Sequence, residues 1–125
     1  MIVYLSAYRP NNTDVEVYIK VLNDTDGEVL DTKVWTKMEN QSPSLRSSPI
    51  NSIDFKEYEF RMPSTAPATG AAYKNVSNFG IVQYADSTGA IYQTFKTFMI
   101  KIVLLSDNGI YVPKIDDVRG IALMV

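Results

Sequence analysis

Cysteine and histidine are both absent from this chain of 125 residues. The double absence excludes a disulfide framework, a thiolate nucleophile, a Ser-His-Asp triad, a His/Cys zinc centre and an imidazole general base. Only carboxylate, lysine, tyrosine and serine chemistry remains. A basic balance is lacking too: 12 Lys and Arg against 14 Asp and Glu leave a net charge of −2. No run of Lys or Arg builds a phosphate-neutralising face, so nucleic acid is not an expected partner. No stretch approaches the roughly 18 consecutive apolar residues of a membrane span. Met1 to Tyr8 also lacks the charged and long apolar regions of a signal peptide. The chain therefore reads as soluble, with no membrane partner. Helical signals are scarce as well, since no segment carries a convincing amphipathic 3.6-residue period.

What is present is strand pattern, with a 46% hydrophobic content sufficient for one core and a length that fits one domain. The stretch Phe95 to Leu105 reads as the central strand. Its even positions Phe98, Ile100, Ile102 and Leu104 are all apolar, and the pattern commits that face to a core. Asn108-Gly109 after it is a type I′ hairpin signal, turning the chain back through Ile110 to Val112 until Pro113. Ile2 to Tyr8 reads as a strand. Val15 to Leu22 alternates cleanly, with Val15, Val17, Ile19 and Val21 on one face and Glu16, Tyr18 and Lys20 on the other. Further strands are expected over Lys33 to Met38, Phe55 to Met62, Phe79 to Ala85 and Ala90 to Tyr92, with a terminal strand over Arg119 to Val125 bearing Ile121, Leu123 and Val125 on one face. Ile115 to Val118 reads as an irregular or helical turn.

Two segments break the pattern. Asn40 to Asp54 is rich in Ser, Asn and Pro, and Pro63 to Ser77 holds Pro, Gly and Ala with little to pack. Both read as long loops: solvated connections, or arms laid on neighbouring subunits with Leu45, Ile50, Ile53 and Tyr73 as anchors. Few large apolar groups offset the roughly 1–2 kcal/mol of backbone entropy per ordered residue, so both loops are expected to be mobile in the isolated protein. The expectation is an all-β fold, an antiparallel β-sandwich with the jelly roll among its forms, in one domain spanning residues 1–125. The abrupt apolar start is compatible with an excised module of a longer chain.

Candidate chemistry is thin. Asp24, Asp26 and Gly27 invite a calcium-loop reading, but aligning Gly27 with the sixth loop position puts Leu22 first and Lys33 twelfth, where carboxylates are required. A plain Asp-Gly loop is the reading, with no metal and no cofactor. Glu57 and Glu59 share a strand face about 7 Å apart at the backbone, a spacing open to glycosidase-type carboxylates, and Asp116/Asp117 is a second acidic pair. With Arg61 alongside, a solvated charged face is the simpler reading, and no catalytic residue is assigned. Triplets beginning at Asn11, Asn23 and Asn75 match the glycosylation pattern without a secretory signal. Trp35, the single tryptophan, is a candidate interface or core contact, and alternatively a stacking platform for sugars.

Two patches read together resemble a known family. The first is Arg9-Pro10 and Asn12-Thr13-Asp14-Val15, running into Val17-Tyr18 and Lys20-Val21-Leu22, then Trp35 and Met38. The second is Phe98, Ile100-Lys101-Ile102, Leu104, Val112-Pro113, Ile115 and Val118-Arg119-Gly120-Ile121-Ala122-Leu123. Together they resemble β-rich modules in large virion structural proteins of contractile-tailed bacteriophages, notably of the tail baseplate. The two loops take no part in the resemblance, and such modules usually sit in much longer chains. The resemblance implies a non-enzymatic part of the virion, made soluble in the host cytoplasm and contacting other virion structural proteins in a multi-copy assembly. Arg9 and Arg119 are expected to be structural, bridging turn carbonyls or acidic neighbours such as Asp14 and Asp116. The alternative is a carbohydrate- or receptor-binding β-sandwich module using Trp35 and some of the eight tyrosines.

Overall fold

The structure is a computed structural model that describes residues 1–107, 109 and 111–121. Its regular elements are all strands apart from one 3-10 turn. In chain order they are β1 (Ile2–Tyr8), β2 (Thr13–Leu22), the 3-10 turn Leu30–Thr32, β3 (Thr36–Lys37), β4 (Glu39–Asn40), β5 (Lys56–Arg61), β6 (Tyr73–Asn75), β7 (Ile81–Ala85), β8 (Ile91–Tyr92), β9 (Thr97–Ser106) and β10 (Lys114–Ile121). They form three sheets of order β10-β1-β5-β4, β3-β2-β9 and β6-β7-β8, none closed into a barrel. The fold is all-β and antiparallel, consistent with the expected β-sandwich.

The chain forms two compact units. One comprises Met1–Val17, Glu39–Arg61 and the described part of Ile102–Ala122. Its four-stranded sheet is built on β1, whose alternation sorts side chains between two faces. Val3 pairs with Phe60 and Gly120, and Leu5 pairs with Tyr58 and Val118. On that face Val3, Leu5, Tyr58 and Phe60 are buried. The opposite face sets Tyr4 between Glu59 and Arg119, and Ser6 between Glu57 and Asp117. The register against β10 shifts between Ser6 and Ala7, which leaves Asp116 as the extra residue of a bulge.

The second unit contains Tyr18–Met38 and Met62–Lys101. Its buried residues include Ile19, Val21, Met38, Met62, Ala71, Ala72, Tyr84 and Phe95. Buried Thr36 pairs with Ile19 and donates its hydroxyl to the Ala72 carbonyl at 3.1 Å. Lys96 N–H bonds the Leu22 carbonyl at 3.0 Å where β9 meets the end of β2. Gly80 supplies a positive φ of 71° in the turn before β7, and the preceding Phe79 also has positive φ, 55°. Phe79 is 90% exposed, a costly conformation for a bulky residue. It stands outside the strand expected to begin there.

The alternation of β2 is borne out: Val15, Val17, Ile19 and Val21 are all buried. The expected role of the Phe95 to Leu105 stretch is not. β9 lies at the edge of its sheet, and Phe98, Met99, Leu104 and Leu105 are exposed. An apolar alternation shows that a strand is suited to burial; what buries it is decided by strands distant in sequence. Ile115 to Val118 belongs to β10, not to an irregular turn, because pairing with β1 extends it. Pro63 to Ser77 contains β6, paired with β7, so it is not one continuous loop. Lys33 to Met38 contracts to β3 with a 3-10 turn before it. Of the terminal strand expected over Arg119 to Val125, Arg119, Gly120 and Ile121 belong to β10; Asn108, Ile110, Leu123 and Val125, with the rest of that strand and the expected hairpin turn, lie outside the described residues.

The loop Asn40 to Asp54 is held in place by polar bonds. Arg9 is buried; its guanidinium donates to the carbonyls of Pro43 and Leu45 at 3.0 and 2.9 Å, pairs with Asp14 at 3.0 Å and stacks over Tyr58. Tyr58 Oη donates to the same Leu45 carbonyl, and Tyr8 Oη to that of Ser48. Apolar anchors are few in this segment. A buried arginine and two tyrosines supply hydrogen bonds instead, each worth more when desolvated.

Candidate functional site

A dense polar cluster grows from two Asp-containing turns of the second unit. After β2, Asn23 Oδ1 accepts the Thr25 N–H and hydroxyl, an Asx turn that delivers Asp26, Gly27 and Glu28. Between β7 and β8, Asp86 Oδ1 accepts the Thr88 N–H and hydroxyl and the Ala90 N–H, and Gly89 takes φ 88° to close the turn. Lys33, placed by the 3-10 turn, extends its ammonium to Asp26 Oδ2 and Glu28 Oε1, each 2.7 Å away. Tyr84 Oη accepts the Asn23 N–H at 2.8 Å and donates to Asp26 Oδ2 at 2.8 Å. Ser87 closes the cluster by donating its hydroxyl to Glu28 Oε2 at 2.6 Å.

The electrostatics fix each group in one state. Burial pushes the Asp26 carboxyl up, but hydrogen bonds from Lys33, the Glu28 N–H and Tyr84 more than reverse it and leave it below the usual carboxylate range. Glu28 is held low by Lys33 and Ser87. Burial alone would lower Lys33, yet its two carboxylates raise it. Burial first, then the bond to Asp26, pushes Tyr84 up to about 12. A general acid or base works best with a pKa near the operating pH, and these shifts all run the other way. The carboxylate oxygens of Asp26, Glu28 and Asp86 lie within 4.8 Å of one another, close enough to hold a metal ion. The cation among them is the Lys33 ammonium, whose side chain is 6% exposed. Distance in sequence hides this cluster. The Asp26-Gly27 and Asp86 to Gly89 turns are each readable, but nothing local places them together.

Trp35 belongs to a second cluster in the same unit, on one face of the sheet. It is half-buried, with the Lys20 ammonium 4.7 Å and the Lys101 ammonium 4.6 Å from its ring centroid. Lys101 also lies over the Tyr18 ring at 4.7 Å. The candidate contact Tyr73, in β6, is half-buried and its hydroxyl accepts from the Gln83 amide.

The other contact candidates lie in the first unit. Ile50 is 94% and Ile53 77% exposed, while Leu45 is more modestly exposed and its carbonyl is taken by Arg9 and Tyr58. The Glu57, Glu59 and Arg61 face is exposed and internally paired. Arg119 bonds Glu57, lies 3.5 Å from Asp117 and stacks over Tyr4, while Arg61 pairs with Glu59 at 3.1 Å. Arg9 takes the expected Asp14 as its partner. Arg119 takes Asp117 and Glu57 because alternation along β10 sets Asp117 on its own face, and Glu57 and Asp117 both pair with Ser6 of β1.

No family model matches the chain, and no curated protein or solved structure matches it.

Proposed function

We propose that this chain is a non-enzymatic structural protein of a bacteriophage particle, of tail or baseplate type, that acts through protein–protein contacts in a multi-copy assembly. The observation that carries the reading is that several large apolar side chains of the first unit are exposed: Leu104 and Leu105 on β9, and Val118 and Ile121 on β10. Single exposed apolar residues are ordinary, whereas an excess of large ones at the surface favours association. Each square ångström of apolar surface covered by a neighbour contributes about 25 cal/mol, so strands of this kind gain from assembly. The particle type comes from the resemblance of the two sequence patches.

Mass spectrometry of particles purified from cells that encode the chain tests the reading. The protein is expected in the intact particle, in stoichiometric amounts with other tail components. Its absence from every particle fraction overturns the proposal.

A further inference from the structure

Lys20 is buried, yet no carboxylate lies within ion-pair distance of its ammonium among the described residues. The buried Arg9 and Lys33, by contrast, both have carboxylate partners. Lys20 Nζ has one long bond, 3.4 Å to the Asp31 carbonyl, and the Trp35 ring. Lys101, also without a carboxylate partner among the described residues, rests on Trp35 and Tyr18. The sheet explains why these four meet. Thr36 pairs with Ile19, so the next register position sets Trp35 across from Lys20, and β9 brings Lys101 in from the other side of β2.

We infer that this face is a binding site for an acidic saccharide, with the Lys20 and Lys101 ammonium groups receiving a carboxylate and the Trp35 and Tyr18 rings receiving the apolar C–H face of the sugar. The site goes beyond the assembly reading and does not depend on it. Magnitudes favour an anionic ligand. An exposed cation–π contact contributes about 0.5–1 kcal/mol, whereas a hydrogen bond to a charged group contributes about 1.5–3 kcal/mol. A carboxylate therefore draws the exposed Lys101 off the rings and uncovers them, while a neutral sugar offers nothing to replace the contact it displaces. Size favours a saccharide over a protein: three adjacent strands span about 10 Å, room for one or two sugar rings and well below the roughly 800 Å² per partner of a stable protein interface.

Trp35 is the only tryptophan, so fluorescence excited selectively at the red edge, where the eight tyrosines do not absorb, reports this site alone. Titration with sialyllactose and with oligogalacturonate is expected to change it saturably and in a salt-sensitive way, with lactose giving no response. Lys101→Met is expected to weaken binding about tenfold or more, and Lys20→Met likewise, with far-UV circular dichroism checking the fold. Should Lys20→Met fail to fold, the exposed Lys101→Met variant carries the test. No saturable change at millimolar acidic saccharide, an equal response to lactose, or an equal response to polyglutamate overturns the inference; the last would make this face a docking surface for acidic protein segments.

Discussion

Lys33 shows how a single side chain can decide the character of a site. Three carboxylates gathered in one place would repel one another, and the ammonium between two of them turns that repulsion into a buried, hydrogen-bonded ion pair. Removing one partner leaves the other charge buried and incompletely paired. Asp26→Ala is therefore expected to destabilise the protein by about 3 kcal/mol, read as a shift in a urea unfolding midpoint, with Glu28→Gln costing less because that side chain is more exposed. The pH dependence follows from the directions of the shifts. Asp26, Glu28 and Asp86 all titrate below their ordinary values in the folded chain. Their contribution is complete above the ordinary carboxylate range and is lost as pH falls below about 4. Lys33 and Tyr84 are raised, so theirs is complete below about pH 10 and lost as pH rises through their folded values. Urea midpoints measured from pH 2 to pH 12 are expected to form a plateau with a fall at each end, and Lys33→Met should flatten the acid fall, since Lys33 is what holds Asp26 and Glu28 low.

Among elements, a loop with few large apolar groups is tied down by a residue distant from it in sequence. Arg9 follows β1 and reaches two carbonyls of the Asn40 to Asp54 segment; Ser47 donates its N–H to the Arg9 carbonyl at 3.1 Å and receives the Arg9 N–H on its hydroxyl at 2.9 Å. The Ser47 and Ser48 amides are therefore expected to be protected from hydrogen exchange in the free protein, whereas the Ile50 and Ile53 side chains remain at the surface. Arg9→Lys keeps the charge and loses the fork of donors. Exchange across residues 40–54 should accelerate by tenfold or more in that variant, about 1.4 kcal/mol or greater, while β1 amides keep their protection. Unchanged loop exchange would show that Tyr8 and Tyr58 suffice.

For the molecule as a whole, apolar residues fall into two groups that composition does not distinguish. Leu5 is fully buried, and Leu5→Ala is expected to cost about 2–5 kcal/mol. Leu104 and Leu105 are exposed on β9, so Leu104→Asn with Leu105→Asn should change stability by about 0.5 kcal/mol per site or less. If the assembly reading holds, the same double variant loses incorporation into particles when it competes with wild type. A variant that unfolds like Leu5→Ala, or that assembles normally, would place the contact surface elsewhere.

Elements whose pattern is local can be read directly from the residues. The strict alternation of β2, the strand β1, the turn at Asp86 to Gly89 and the all-β class were legible because side-chain period and turn chemistry act over a few residues. The packing of distant segments settled which strands stand at sheet edges and which strand faces are covered: β9 is an edge strand, and its Phe98, Met99, Leu104 and Leu105 are exposed. It also decided that Ile115 to Val118 extends a strand, that part of the second loop is β6, and that Asp26 meets Lys33, Tyr84 and the Asp86 turn. Each of these depends on pairing or charge between segments far apart in sequence, and no local pattern records which segment will supply the partner.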